Sequence, residues 1–380
     1  MPMPKISQPP FRADHVGSLL RPAELIKARE DFGAGRITRE NLRAIEDHHI
    51  RLAIKKREDI GLKSITDGDF RRHSWSGDFL SRIGGVSVRE AYSSPVQSSD
   101  AAQHGAIAWR PNVPQITGKL TWPQGGVTVE DFRFVAANTR ETAKVTMPSP
   151  SMLLRGGRAA VDKTVYPDMD AFFDDVAGVW RAEIMALADA GCRYAQIDDT
   201  NLAYLCDPAR RERVKAMGED PAKLPALYAR LINAVIADRP ADMKICVHLC
   251  RGNSFSRGNA QGGYEPIAEM LFNDMHVDGF FLEYDDARSG DFAPLRFAPR
   301  GALRIVIGAI SSKFGELEAK DDIKRRIEAA SKFLPLDMMC LSAQCGFASV
   351  MGGNLLSEDQ QYAKLRHVVC LLYTSDAADE

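Results

Sequence analysis

Short apolar runs alternate with longer amphipathic stretches along most of the chain. The runs have the length of buried strands, and the stretches between them carry apolar residues at helical spacing. Repetition of this unit is typical of a parallel sheet whose strands are connected by helices. Eight runs fit the pattern, which is the number of strands that a closed (β/α)8 TIM barrel requires. These runs are Asp14–Ser18, Ser64–Asp69, Lys144–Pro148, Tyr194–Asp198, Lys244–His248, Gly279–Glu283, Arg304–Ile310 and Met338–Ser342.

The amphipathic stretches predict the helices that follow the strands. Asp168 and Asp170 flank the start of one of them, where acidic groups favour the positive end of a helix dipole. The predicted helices are Thr38–Ile60, Asp168–Ala190, Pro221–Ala237, Tyr264–Asn273, Phe314–Phe333 and Ser357–Val368.

Residues 84–138 do not fit the strand–helix unit. They are rich in Ser, Gln, Gly and Pro, with alternating polar and apolar positions at Gln115–Thr121 and Asp131–Ala137. We predict that they form a β-hairpin insertion between strands 2 and 3 of a single catalytic barrel domain over residues 11–368. Residues 370–380 depart from the preceding helical pattern, and we interpret them as an atypical tail. Our hypothesis is that this tail is not native sequence.

Composition and charge exclude several classes of protein. The net charge is −2 and the basic residues are scattered, so the chain has no electrostatic footprint for nucleic acid or an anionic membrane. No run approaches the length of a membrane-spanning helix, and Met1–Pro10 does not have the pattern of a secretory signal. Seven cysteines in such a long chain do not suggest a disulfide framework. We therefore predict a cytoplasmic enzyme.

Four residues with metal-binding side chains lie at or just beyond the carboxyl ends of predicted strands. His248 and Cys250 follow the fifth strand, Glu283 ends the sixth, and Cys345 lies after the eighth. In a (β/α)8 barrel these ends converge on one rim, where active sites are built. An imidazole, two thiolates and a carboxylate suit Zn²⁺, which prefers tetrahedral coordination by nitrogen and sulfur. The pattern predicts a zinc site.

This ligand set is too dispersed in sequence to form a short zinc finger. A carboxylate ligand such as Glu283 is held more weakly than a thiolate, so it can give way to a substrate sulfur. Zinc would lower the pKa of that thiol and favour the nucleophilic thiolate. Four other cysteines are interpreted as small apolar core residues: Cys192, Cys206, Cys246 and Cys340.

A second group of polar residues is predicted at the same rim. Ser18 ends the first strand, Asp69 the second, and Asp198 with Asp199 the fourth. Two carboxylates facing a small pocket can hold the ammonium group of an amino acid, and the Gly17–Ser18 turn can donate to its carboxylate. An aspartate at a strand end can also cap the next helix. For Asp199 both interpretations stay open.

In these segments the chain resembles the catalytic barrel of cobalamin-independent methionine synthase, and especially the short, single-barrel relatives of that enzyme. The resemblance runs in order from about residue 11 to residue 368, and the segments together are specific. They are DHVGSLLRP (14–22), ITDGDFRR (65–72), MPSPSML (147–153), QIDDTNLAYL (196–205), HLCRGN (248–253), GGYEPIAE (262–269), FLEYD (281–285) and QCGF (344–347).

The resemblance implies that the four metal-binding residues bind zinc and that Ser18, Asp69 and Asp198 hold homocysteine. The implied reaction is transfer of a methyl group to the homocysteine thiol, which gives methionine. The family's usual donor is a methylfolate, and a methylated corrinoid protein or a simple methylated small molecule is an alternative donor here.

The chain departs from this family at several positions. Asp69 stands where the synthases usually carry glutamate, and Ser311 replaces a histidine thought to assist protonation of the folate donor. His15 is our hypothesis for that proton-transfer role, and Asp199 is a second candidate catalytic residue. The long synthases have an additional N-terminal barrel that helps to bind folate. We expect none here, so the donor stays open.

Two alternative reactions follow from related barrels. One is zinc-dependent alkyl transfer to another thiol, such as coenzyme M. Coenzyme M carries a sulfonate and has no ammonium group for Asp69 and Asp198 to bind. The other is a metal-free decarboxylation like that of the uroporphyrinogen decarboxylase barrels, whose tetracarboxylate substrate the aspartates would repel.

Overall fold

The computed structural model describes residues 7–90 and 112–376 of the chain. Ten strands occur in this part. They are β1 Ser64–Ile65, β2 Gly84–Glu90, β3 Asn112–Thr121, β4 Thr142–Ala143, β5 Val145–Pro148, β6 Tyr194–Asp199, β7 Lys244–Leu249, β8 Gly279–Glu283, β9 Arg304–Ile310 and β10 Met339–Ala343. The α-helices are α1 Ala23–Gly33, α2 Arg39–Ile60, α3 Gly77–Leu80, α4 Val129–Asn138, α5 Met169–Asp189, α6 Asn201–Tyr204, α7 Pro208–Ala216, α8 Leu224–Ile236, α9 Glu265–Asn273, α10 Lys320–Ser331 and α11 Glu358–Asp376.

Strands β5 to β10 form one parallel sheet in which neighbours in sequence are neighbours in space. At one side of this sheet, β1 pairs in parallel with β4, which leads directly into β5. At the other side, Ala13 forms a parallel bridge to Leu341 of β10. The fold is therefore an α/β fold with a parallel sheet, as predicted. Closure of the sheet into a barrel stays a prediction.

The predicted strands and the observed strands agree best in the second half of the chain. Strands β5 to β10 each lie within about one residue of their predicted bounds. The first two predictions are too long: the range 14–18 contains no strand, and only Ser64–Ile65 is a strand in the second. The reason is local, because Gly17, Gly68 and Asp69 all have positive φ angles, which end an extended backbone.

The inserted region is partly helical, which corrects the prediction for Asp131–Ala137. Strands β2 and β3 form an antiparallel ladder, but α4 covers Asp131–Ala137. The buried residues of α4 are Val129, Phe132 and Val135, which recur every three residues and so form one helical face. Because residues 91–111 lie outside the described range, the predicted hairpin connection stays a prediction.

The long helices α2 and α5 begin at residues whose side chains cap them. The Thr38 side chain accepts a hydrogen bond from the Asn41 amide at the start of α2, and Gly61 ends this helix with φ of 98°. Asp168 caps α5 in the same way as Thr38 caps α2. Helix α11 continues through Asp376, beyond the predicted helix end at Val368. The interpretation of residues 370–380 as an atypical tail stays a prediction. Within the described ranges, no helix has the length and apolarity needed to cross a membrane.

A buried ion pair connects the first segment of the chain to the sheet. Lys144 Nζ lies 3.2 Å from Asp14 Oδ1, and both side chains are fully buried. Lys144 Nζ also donates to the carbonyl of His15 at 2.6 Å. Asp14 accepts further hydrogen bonds from the hydroxyl groups of Ser64 (2.7 Å) and Tyr194 (2.9 Å). This network fixes the backbone that leads into Ser18.

Candidate metal and substrate site

The four predicted metal ligands lie together. His248, Cys250, Glu283 and Cys345 are all buried, and one candidate ligand atom from each lies within 4.8 Å of those of the others. His248 belongs to β7 and Glu283 ends β8, whereas Cys250 and Cys345 lie just beyond β7 and β10. Their convergence is a direct result of parallel pairing, because the carboxyl ends of neighbouring strands meet at the same edge.

A glycine in β9 allows the strand ends to approach closely. Gly308 pairs with Glu283 of β8. A Cβ atom at this position would lie 2.6 Å from the Cα atom of Gln344 and 2.9 Å from the carbonyl oxygen of Leu282. These distances are too short for any side chain. Because glycine has none, the loop that contains Cys345 can approach the Glu283 end of β8.

The donor atoms of the cluster fit a zinc ion. Neither ring nitrogen of His248 has a well-aligned hydrogen-bond partner, although both are buried. The sulfur atoms of Cys250 and Cys345 are 3.5 Å apart. Buried polar atoms normally have partners, and nitrogen, sulfur and carboxylate oxygen are the donor types that bind zinc.

The electrostatics of the cluster also suit a cation. Burial, together with the neighbouring Cys345, raises the pKa of Glu283 to about 7. Burial alone would lower the pKa of His248, but Cys345, Asp198 and Glu283 outweigh it and raise this pKa to about 9. Hydrogen bonding from Cys250 and interaction with His248 hold the pKa of Cys345 well below its ordinary value. The carboxyl and thiol groups of the cluster are thus concentrated in one buried place, where a cation would stabilise their ionised forms.

Several residues that sequence reasoning missed hold the ligands in position. The Arg251 amide donates to Glu283 Oε1 at 2.6 Å. The side-chain amide of Asn253 donates to the carbonyl of Gly346 and to Ser312 Oγ, both at 2.9 Å. Asn253 therefore ties the loop after Cys250 to the loop after Cys345. The only sequence signal for it was its position in the HLCRGN segment.

The cluster opens into a cleft at the carboxyl ends of the strands. His248, Cys250 and Cys345 line this cleft. The three predicted substrate-binding residues, Ser18, Asp69 and Asp198, line it as well. Trp75, which follows the second predicted strand, is also part of the lining. The structure thus brings three of the four predicted metal ligands and the three predicted substrate-binding residues to one cavity.

Asp198 is oriented by Gln196, another residue that sequence reasoning missed. Gln196 Nε2 donates to Asp198 Oδ1 at 2.6 Å and to the carbonyl of Val16 at 2.9 Å. The two side chains lie on the same face of β6 because they are two residues apart, and this spacing was the available signal. Burial raises the pKa of Asp198 to about 7, partly opposed by His248.

Asp69 lies in a turn with left-handed backbone geometry, and Ser18 contacts the loop that follows Cys345. Asp69 has φ of 59°, and its Oδ1 atom lies 3.3 Å from both Arg72 Nη1 and Thr146 Oγ1. Burial raises the pKa of Asp69, although Arg72 opposes this. Ser18 Oγ accepts a hydrogen bond from the Ala348 amide at 3.3 Å, and any side chain at Gly346 would collide with this hydroxyl.

The structure places the two predicted catalytic residues, His15 and Asp199, outside the lining of the cleft. His15 Nε2 contacts the carbonyl of Ser64 at 2.9 Å. Burial, with the nearby Arg57 and Lys144, lowers the pKa of His15 to about 3, so a protonated donor form is strongly disfavoured. The hypothesis that His15 delivers a proton in the cleft therefore has no geometric support.

Asp199 contacts the start of helix α6, as expected for the helix-capping interpretation of this residue. Its Oδ1 atom accepts a hydrogen bond from the Leu202 amide at the start of α6 (2.7 Å), and its Oδ2 atom accepts one from Ser151 Oγ (2.5 Å). Both carboxylate oxygens are thus engaged in buried structural contacts. Ser311 also lies outside the cleft lining, and its amide donates to Glu318 Oε1 at 2.8 Å.

A parallel α/β sheet with a polar cleft at the carboxyl ends of its strands defines an α/β enzyme architecture. The chain belongs to the cobalamin-independent synthase family, whose catalytic domain matches residues 11–364. It is therefore a methyltransferase of the methionine synthase type. The family resemblance predicted from the sequence segments is confirmed.

Similar proteins include short chains of nearly the same length. The YxjH protein of Bacillus subtilis is 46% identical, and the match covers 95% of this chain and 93% of that protein. A protein from Pyrococcus abyssi named methionine synthase is 23% identical, with coverage of 93% of this chain and 89% of that protein.

One solved structure gives the same family, and a second gives the same fold. A putative vitamin-B12-independent methionine synthase from Listeria monocytogenes is 41% identical, with a TM-score of 0.77 and coverage of 97% of this chain and 99% of that chain. A B12-independent methionine synthase from Shewanella sp. W3-18-1, solved in complex with selenomethionine, has a TM-score of 0.72 at 17% identity, with coverage of 97% and 98%. This second likeness concerns the fold alone.

Proposed function

We propose that this protein transfers a methyl group to the thiol of homocysteine in a zinc-dependent reaction that forms methionine. The observation that carries the proposal is the shared cleft. Three members of a buried His–Cys–Glu–Cys cluster, His248, Cys250 and Cys345, line the same cavity as two carboxylates suited to an ammonium group. We also propose that the sheet closes into a barrel through the segment around Asp14, whose contacts reach both β10 and the side chain of Ser64.

Zinc would be held by His248, Cys250, Glu283 and Cys345, and would lower the pKa of a thiol that binds beside it. Asp198 and Asp69 would bind the ammonium group of homocysteine, and Ser18 would donate to its carboxylate. In the transfer, the thiol loses its proton and its sulfur forms a bond to the methyl carbon. The bond between this carbon and the donor breaks, and the donor keeps the electron pair. A methylfolate donor also takes up a proton on its ring nitrogen, whereas with a sulfonium or corrinoid donor the thiol proton passes to solvent.

A reconstituted assay tests this proposal. Purified, zinc-loaded protein is incubated with homocysteine and, separately, with 5-methyltetrahydrofolate, methylcobalamin and S-methylmethionine, and methionine is measured by mass spectrometry. We expect methionine from at least one donor and loss of turnover after zinc is removed by a chelator. Methylation of coenzyme M in preference to homocysteine would contradict the assignment of the acceptor. Turnover that is unchanged after complete zinc removal would contradict the zinc-dependent mechanism.

Replacement of Asp198 by asparagine should weaken acceptor binding without loss of zinc. The substitution keeps the size of the side chain but removes the charge that faces the ammonium group, so we expect KM for homocysteine to rise roughly 10- to 100-fold. Zinc content should equal that of the wild type. The matched control is 4-mercaptobutanoate, which lacks the ammonium group and should bind equally to both proteins. An unchanged KM for homocysteine would contradict this role.

A further inference from the structure

The cleft contains a positively charged side chain in addition to the carboxylates Asp69 and Asp198 of the proposed acceptor site. Arg155 is the only lysine or arginine among the described residues that line it. It follows the 3-10 turn Pro150–Leu154 after β5, and its guanidinium carbon lies 5.5 Å from the centre of the Trp75 ring. Its neighbours Thr200 and Tyr204 come after the end of β6, whereas Asp198 lies within that strand. The basic end of the cleft is therefore further from the sheet than the acidic end.

Arg155 is held in place but its charge is not balanced. Its Nη2 atom donates to Thr200 Oγ1 at 2.8 Å. Across residues 7–90 and 112–376, no carboxylate lies within ion-pairing distance of it, in contrast to Arg71 and Arg72. Burial lowers the pKa of Arg155 despite the interactions with Tyr204 and Asp199 that oppose this effect. A guanidinium nevertheless stays protonated at neutral pH, so a positive charge faces the cleft without a partner.

An uncompensated guanidinium with several unused N–H groups is suited to bind a carboxylate or a phosphate. The acceptor does not require it, because Ser18 can donate to the carboxylate of an amino acid held by Asp69 and Asp198. The cleft also offers other surfaces at this end. The centre of the Trp75 ring lies 5.5 Å from the Arg155 guanidinium carbon, and Tyr204 and Asn259 line the same cleft. These features fit a second ligand of the same reaction.

We infer that Arg155 forms the donor subsite of the cleft and binds an anionic group of a small-molecule methyl donor. This inference rests on the proposed methyl transfer and narrows its donor. A donor with a carboxylate or phosphate would be attracted to this end of the cleft. A cationic donor, such as a sulfonium or quaternary ammonium compound, would be repelled by Arg155.

The test compares donors of different charge in the zinc-loaded enzyme. With 5-methyltetrahydrofolate, which carries two carboxylates, the substitution Arg155→Met should raise the donor KM roughly 10- to 100-fold. Arg155→Lys should restore part of the loss because it keeps the charge. The KM for homocysteine should not change. With a 5-methyltetrahydropterin that lacks the benzoylglutamate tail, wild type and Arg155→Met should have the same KM.

A binding measurement separates this inference from the proposed function. Calorimetric titration of chelator-treated protein with 5-methyltetrahydrofolate requires no turnover, and Arg155→Met should weaken the affinity by the same factor as it raises KM. Circular dichroism and thermal melting check that both variants are folded. Absence of binding to the wild type, equal binding by wild type and variant, or a rise only in the homocysteine KM would overturn the inference. Intact, Arg155-dependent binding without methionine formation from any donor would instead contradict the proposed function alone.

Discussion

The substitution Cys345→Ser is expected to remove tightly bound zinc and to reduce methyl transfer by more than about 100-fold. Loss of residues that merely support metal ligands commonly costs 10- to 100-fold in affinity or activity, so loss of a thiolate ligand should cost more. A serine hydroxyl is a poor substitute because it is not deprotonated at neutral pH. Elemental mass spectrometry should detect about one zinc ion per chain in the wild type and much less in the variant.

The chain provides a matched control for this experiment. Cys192 is buried, and its sulfur atom donates to the carbonyl of Tyr194 at 3.3 Å, outside the cleft. Cys192→Ser is the same chemical change and keeps a donor for that carbonyl, so zinc content and activity should match the wild type. If Cys345→Ser retained both zinc and turnover, the metal site would be wrongly assigned.

The second large effect concerns stability rather than chemistry. We expect Lys144→Met to lower the free energy of unfolding by about 3–5 kcal/mol, since it leaves the buried Asp14 carboxylate without its cation. Burial alone would raise the pKa of Asp14, but Lys144 and the surrounding donors outweigh it and lower this pKa below 3.8. The ionised pair therefore stabilises the fold above this pH, and its contribution declines as the pH falls.

Urea-induced unfolding at neutral pH measures this loss of stability. The exposed ion pair between Lys55 and Asp59 provides the control. Lys55→Met should change the free energy of unfolding by less than about 0.5 kcal/mol, because exposed pairs contribute little. The double substitution Asp14→Asn with Lys144→Met should recover part of the loss, as it removes the uncompensated charge. Equal stability of Lys144→Met and the wild type would show that the pair does not stabilise the fold.

The sequence allowed the second half of the sheet and the four clustered side chains to be predicted with good accuracy. Strands β5 to β10 are continuous apolar runs with clear ends, because both faces of a parallel sheet are buried. Since the carboxyl ends of such strands lie at one edge, His248 and Glu283 could be placed near each other without knowledge of the tertiary structure. The position of Cys345 followed from the same argument.

Other parts of the site depended on contacts that no local pattern records. Asp198 and Asp199 are adjacent in sequence, but alternation along β6 directs Asp198 to the cleft and Asp199 to the start of α6. His15 precedes the predicted substrate residue Ser18, yet its ring is directed to the Ser64 carbonyl. Arg155 was missed because nothing in its sequence context distinguishes a cleft arginine from a surface arginine.

The error at Asp131–Ala137 has a similar origin. Two phenylalanines separated by one residue, Phe132 and Phe134, resemble the alternation of a strand. The choice between strand and helix depends on which residues the rest of the protein buries. Of the two phenylalanines, only Phe132 is buried. Val129 and Val135 are buried as well, and these three residues define a helical face.

The separation of the candidate ligands along the chain determines when the proposed zinc site can form. Cys250 and Cys345 are 95 residues apart, so a ribosome needs roughly 5 to 20 s to advance from one to the other. During this interval the nascent chain presents His248 and Cys250, and later Glu283, without Cys345. The complete set of four candidate ligands arises only after β8, β9 and β10 have been synthesised and paired. Uptake of the proposed zinc ion would therefore be a late event, and the ion would enter through the opening that later admits the substrates.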